Sequence, residues 1–149
     1  MAINGPDLTK QPPRSARVRL GGYAILPRML DKGRAALAGK NGEYKYACPL
    51  DQRFLEFAGI DAKALQKELA AGKTDGQILD WINAKAKNQH TAPAIEAWSL
   101  WQDRRAPDNP ESREYFNELH KSVGPKREDI TSWTELLDLD DYVSFGGKA

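Results

Sequence analysis

The sequence predicts an all-α fold: one compact domain over residues 1–149, built as a bundle of about six or seven short to medium helices. An extended basic arm over 1–20 precedes the bundle, and an acidic-aromatic tail over 139–149 docks on it. Three observations carry this expectation. Apolar residues recur at the 3.6-residue spacing of a buried helix face. Helix start and stop signals punctuate the chain. A length of 149 residues, 40% hydrophobic and 29% charged, fits a single globular domain and argues against wholesale disorder.

The arm comes first. Pro6, Pro12 and Pro13 oppose helix, Arg14, Arg17 and Arg19 sit among small residues, and Val18, Leu20 and Tyr23 can anchor the segment. Gly21-Gly22 supplies a turn. Leu26, Met29, Leu30, Gly33 and Leu37 then fall at i, i+3, i+4, i+7 and i+11 on one helix face, with Arg28, Asp31, Lys32 and Arg34 on the other. Pro27 suits the first turn and Gly39 the residue after the last. Burying each Leu or Met on that face is worth roughly 1.5–3 kcal/mol, so this helix should be central. Gly33 leaves room for a close neighbour.

Asn41-Gly42 marks a turn, and Glu43 to Cys48 reads as extended, with Tyr44, Tyr46 and Cys48 on one side. The second helix opens at Leu50-Asp51 with Asp51 as N-cap, and closes at Gly59. Asp61 caps a third helix, which ends at Gly72. Thr74 to Gln77 is a capping-box pattern before Ile78, Leu79, Ile82 and Ala86, with Trp81 beside the stripe. Pro93 starts a fifth helix carrying Ile95, Trp98, Leu100 and Trp101. Asn109-Pro110 starts a sixth, with Tyr115, Phe116, Leu119 and Val123 on one face and Gly124-Pro125 as its stop. A last helix carries Ile130, Trp133, Leu136 and Leu137.

Cys48, the one cysteine, excludes an internal disulfide and fits a reducing compartment. The N-terminal stretch lacks the apolar core of a signal peptide, and no apolar run reaches the roughly 18 residues that span a membrane. A cytoplasmic protein without a membrane partner is expected. Net charge is +1 but unevenly spread: residues 1–45 carry nine Lys/Arg against three Asp/Glu, and residues 106–149 carry five against ten. The two ends can neutralise each other in the fold. That reading ranks above nucleic-acid binding, because no nucleic-acid motif accompanies the basic part.

Three segments carry a resemblance: DLTKQPPRSARVRLGGYAILPRMLDKGRAALAGKNGEY, CPLDQRFLEFAGID and LLDLDDYVSFGG. With Leu26-Pro27-Arg28, Asp31-Lys32 and Asp138 to Asp141 as its most distinctive parts, the chain resembles a family of small bacterial proteins, the domain-of-unknown-function 5069 family. The resemblance implies a single bacterial domain and carries over no activity and no catalytic residues.

Candidate chemistry is sparse. His90 and His120 form no spaced ligand pair, and the acids at 138–141 lack the glycine and glutamate of a calcium loop, so no metal site is expected. Neither a phosphate loop nor a dinucleotide fingerprint is present, so no cofactor is expected, and no G-x-S-x-G elbow is seen. Cys48 lies just before a helix start that favours a thiolate, yet a small core thiol is the simpler reading. The best route to a ligand is aromatic. Trp98 and Trp101, with Arg104 on the same helix and Trp81 one helix earlier, can wall a pocket for an aromatic or carboxylate ligand, with Tyr44 and Tyr46 as further candidates. Core filling is the plainer role for the tryptophans.

Three functions follow as expectations. The first is a non-enzymatic module binding a small molecule or a protein partner. The second is a small metabolic enzyme, a hydrolase for instance, with a tryptophan-lined pocket. The third is a nucleic-acid accessory protein that uses the basic arm.

Overall fold

The first long helix forms where the 3.6-residue spacing places it. In the computed structural model, which describes residues 3–149, α1 covers Leu26–Leu37; positions 1 and 2 of the expected arm lie outside the described residues. Six more helices follow among the described residues: α2 (Pro49–Ala58), α3 (Ala62–Ala70), α4 (Asp75–Lys85), α5 (Ala92–Arg104), α6 (Pro110–Val123) and α7 (Trp133–Ser144). No strand is present among them. Leu20 and Tyr23 form one isolated antiparallel bridge across the Gly21-Gly22 turn. The fold is all-α. No helix among the described residues is long and apolar enough to cross a membrane.

The main core gathers around α1. Leu26, Met29 and Leu30 meet Phe54 and Leu55 of α2, Leu65 and Leu69 of α3, and Ile78 and Ile82 of α4. Gly33 has the close neighbours its lack of a side chain allows: a Cβ there would stand 2.6 Å from Leu69 and 3.0 Å from the Tyr46 ring. Gly59 ends α2 with φ +69, and the Asn88 amide and Lys87 backbone close over that corner. The caps at Asp61, and the capping box of Thr74 with Gln77, stand where the residue pattern puts them.

Four local expectations change. The polar side of α1 is not solvated: Arg28 and Lys32 are 4% and 3% exposed, because buried carboxylates meet both. Glu43 to Cys48 is a pair of turns rather than an extended segment, pinned by the Asn41 amide on the Tyr44 carbonyl. Asp51 is not the N-cap of α2. Cys48 is, with Pro49 at the first position, and Asp51 in the first turn accepts the Ala47 N–H at 2.9 Å. The stripe expected on α5 is turned outward: Leu100 is exposed, Trp101 is 56% exposed, and Ser99 and Gln102 are the buried residues. Ser99 explains this. Its hydroxyl donates to the Gly22 carbonyl at 2.6 Å and accepts the Ala24 N–H at 2.8 Å, which ties α5 to the turn before α1 through a polar face.

A second, smaller core lies between α6 and α7, where Phe116, Ile130, Leu136 and Leu139 are buried. Tyr115, expected on the same face as Phe116, is 63% exposed. Helix α7 starts at Trp133 behind a Ser132–Glu135 capping box and runs through the acidic segment to Ser144, where the residue pattern suggested a tail. Acids near a helix C-terminus oppose its dipole. Here they are compensated from the basic end of the chain: Arg17 meets Asp138 at 3.3 Å and Arg28 meets Asp141 at 2.7 Å. The two charged ends therefore touch. Arg14 with Asp31 and Asp75, and Arg19 with Asp103, fix the rest of the arm.

Candidate functional site

Arg28 and Lys32 are one turn apart on α1 and face the same way. The Arg28 fork grips Asp141 of α7 with donor distances of 2.7 and 3.3 Å and also donates to the Arg14 carbonyl. The Tyr44 hydroxyl donates to the same Asp141 at 2.7 Å, and the Arg28 guanidinium lies 5.5 Å from the centre of the Tyr44 ring. Lys32 donates to Asp51 at 2.9 Å and to the Cys48 sulfur at 3.1 Å. An ammonium has three donors, so one N–H of Lys32 remains beyond these two acceptors.

The electrostatics follow from burial. Desolvation works against the charge of Arg28, but Asp141 outweighs it and raises its pKa. Asp51 is pushed above the ordinary carboxylate range by burial, with Lys32 opposing. Burial, and then its hydrogen bond to Asp141, raise the Tyr44 phenol, so Tyr44 stays a donor at neutral pH. Asp140 is raised by burial and by the Asp141 charge beside it. Just before Cys48, Ala47 sits in the left-handed region at φ 59, a strained conformation for a side-chain-bearing residue.

Of these groups, Arg28, Lys32, Tyr44, Cys48 and Asp140 line one cleft of about 660 Å³, and Asp51 and Asp141 do not. Those five give it polar groups, and Leu8, Leu50, Leu137 and Phe145 add apolar surface among them. Its volume falls in the range of roughly 300–1,000 Å³ usual for small-molecule sites. The polar groups can orient a ligand whose apolar part packs on the apolar ones.

The residues singled out in the sequence are divided between two places. Tyr44 lines the cleft. Tyr46 does not: its hydroxyl donates to the Ala62 carbonyl at 2.7 Å and its ring fills space beside Gly33. Cys48 is half-buried at the cleft rather than inside the core. Trp98 and Trp101 share a shallow surface hollow with Arg53, Phe57 and Gln102, where Trp98 stacks on Phe57 at 4.6 Å and Arg53 lies 5.3 Å from the Trp101 ring. Trp81 packs against the main core instead, and Arg104 is exposed without an ion pair among the described residues. His90 stacks on Phe57 and His120 bonds the Arg127 carbonyl. No three His, Cys, Asp or Glu side chains among the described residues are placed to hold a metal ion.

Sequence reasoning missed the cleft's charged members. Arg28 and Lys32 were assigned to water by helical periodicity, and Asp51 to a capping role. For Arg28 the available signal was the opposite charge of the chain's two ends, which draws them together; for Lys32 and Asp51 the sequence held none.

No curated protein matches the chain. A family model described as a domain of unknown function (DUF5069) matches residues 10–143. That span contains Arg28, Lys32, Tyr44, Cys48 and Asp140 of the cleft and the partner carboxylates Asp51 and Asp141; the chain belongs to this family of unknown function.

Proposed function

We propose that the protein is a binding module for a small polar molecule with an apolar portion, held in the cleft above Arg28 and Lys32. One observation carries the reading: Arg28 and Lys32, each held in a buried ion pair, stand side by side and line the same cavity. Buried ion pairs add little net stability, because desolvation offsets their attraction, and well-packed apolar side chains would serve the fold as well or better. Charges held in this way are fixed dipoles for a ligand. The spare donor of Lys32 and the Asp140 carboxyl offer it a donor and an acceptor, and Leu137 and Phe145 offer it an apolar seat.

The arm is a poor candidate for nucleic acid, since Arg14, Arg17, Arg19 and Arg28 are each engaged by an aspartate. A second reading, a small enzyme in the same cleft, draws support from the raised carboxyl groups of Asp51 and Asp140 beside Cys48 and Lys32.

The test is ligand-observed NMR with a mixture of small polar metabolites, on the parent and on Leu137→Arg, which fills the cleft from α7. Binders whose signals are lost in the variant support the reading. A mixture without a binder, or binders indifferent to Leu137→Arg, overturns it.

A further inference from the structure

The arginines of this protein are, for the most part, matched. Arg14, Arg17, Arg19, Arg28, Arg34 and Arg127 each form an ion pair with an aspartate. Arg53 of α2 and Arg105, the residue that ends α5, form none among the described residues, although they are neighbours. Gln102 joins them: its side-chain oxygen accepts the Arg53 Nε–H at 2.8 Å and its backbone carbonyl accepts the Arg105 N–H at 3.4 Å. The Arg105 backbone is fixed from the other side, where its carbonyl accepts the Trp133 N–H at 2.9 Å.

The Arg105 Nε is buried and has no hydrogen-bond partner, and no other buried side-chain nitrogen or oxygen among the described residues is left so. Burial, followed by the charge of Arg53, lowers the Arg105 pKa, with Asp108 opposing. Two like charges held together, one with an orphaned buried donor, form an arrangement that folding alone does not favour. The helix dipole accounts for basic residues after α5, which suffices for exposed Arg104. It does not account for the orphaned Nε, nor for Arg53 in the middle of another helix. Glu56 at the rim of the hollow and Asp108 nearby close no ion pair to either arginine.

We propose that Arg105 and Arg53, the latter over the exposed indole of Trp101, form a binding site for a phosphate group on a small molecule, separate from the cleft above Arg28 and Lys32. Charge selects the ligand class. Two unmatched guanidinium groups call for about two negative charges, which a phosphate monoester carries near neutral pH and a single carboxylate does not. The fork geometry of each guanidinium matches phosphate oxygens, and the terminal nitrogens of Arg105, neither buried nor hydrogen-bonded among the described residues, are open to them. Trp101 gives the organic part of the ligand an apolar edge. The site shares no residue with the cleft, so either proposal can fail without the other.

The experiment follows the arginine Nε–H resonances of the full chain by NMR during titration with inorganic phosphate, with sodium acetate and sodium chloride at matched ionic strength as separate arms. Saturable shifts of Arg53 and Arg105 in phosphate alone are expected. Arg113, which lies over the Phe116 ring without an ion pair, should stay still. Arg105→Gln and Arg53→Gln should each weaken phosphate binding by roughly tenfold or more, the scale of a lost charge-assisted hydrogen bond. Arg105→Lys, which keeps the charge and loses the fork, should fall between. Equal responses in chloride, or movement of Arg113 in step, would mean screening of surface charge and overturn the site. Acetate binding as tightly as phosphate would overturn the assignment to a doubly charged anion.

Discussion

Helices α1 to α4 and helix α7 are held by different forces. The first group shares one apolar core, in which Leu26, Met29, Leu30, Phe54, Leu65 and Ile82 are fully buried. Helix α7 buries Leu136 and Leu139 against α6, but it meets the α1 side of the molecule through Arg28 and Tyr44 on Asp141 and Arg17 and Ser15 on Asp138, and α5 through Thr134 on the Asp103 carbonyl. Apolar burial responds little to salt and weakly to pH. Charged attachments respond to both, and more steeply to loss of a single partner. The cleft lies at the boundary between the two regimes. Its floor is built on the apolar body, and its far wall belongs to the charge-held helix.

The comparison breaks or sharpens at a few residues. The largest effect is expected at Asp141. Asp141→Asn leaves Arg28 buried without its counter-charge, and should cost about 3–5 kcal/mol with loss of amide-exchange protection in α7 ahead of α1. A cost below about 1 kcal/mol by urea denaturation would show that charge does not hold α7. Leu30→Ala should cost on the order of 2–5 kcal/mol through lost burial and a residual cavity, at low and high salt alike. If that loss depends strongly on salt, the body is not held as described.

Asp75 gives a smaller effect with a definite pH sign. Burial raises its carboxyl, but hydrogen bonds from Arg14 and Arg34 outweigh this and hold it below the ordinary value of 3.8. A carboxylate lowered in the folded state stabilises above its unfolded value, and that contribution is lost as pH falls through the folded one. Asp51 acts in the opposite sense, because its raised pKa lets the folded state take up the proton first. Asp75→Asn should therefore cost about 1 kcal/mol at pH 7, and the gap to the parent should close in acid below 3.8. Unfolding curves with a constant gap across that range would refute the pairing. The smallest effect is at Ala47. Ala47→Gly relieves about 1–2 kcal/mol of left-handed strain and gives back part of it as unfolded-state entropy, so a gain of up to about 1 kcal/mol is expected. A loss would mean that the Ala47 methyl group packs more than the strain costs.

The body was readable from the sequence because periodicity and caps are local. Gly59, Asp61 and the Thr74–Gln77 box each act within one turn of chain. The cleft was not readable, because its partners are far apart: Arg28 and Asp141 are separated by 113 positions, and Tyr44 and Asp141 by 97. Helical periodicity treats any Lys or Arg off the apolar stripe as solvated, and no local rule names the carboxylate that will cover it. Trp101 failed in the reverse direction. Its spacing from Trp98 suggested a shared buried face, but Ser99 turns α5 so that the hydroxyl, not the indole, meets the body. Tyr44 was singled out because an extended 43–48 segment would set it beside Cys48; the segment is turned instead, and the reason for its position is Asp141.

The bond between Arg28 and Asp141 also sets an order of assembly. Every buried member of the main apolar core lies between Ala16 and Ala86, so that core can close while α7 is still being made at the ribosome. At that stage Arg28 has no aspartate and must stay hydrated, which keeps the α1 surface under the future cleft open to water. Docking of α7 supplies Asp141 to the ion pair and Leu137, Asp140 and Phe145 to the lining of the cleft. The cleft is thus the last feature of this region to form, and only a chain translated beyond Asp141 has one.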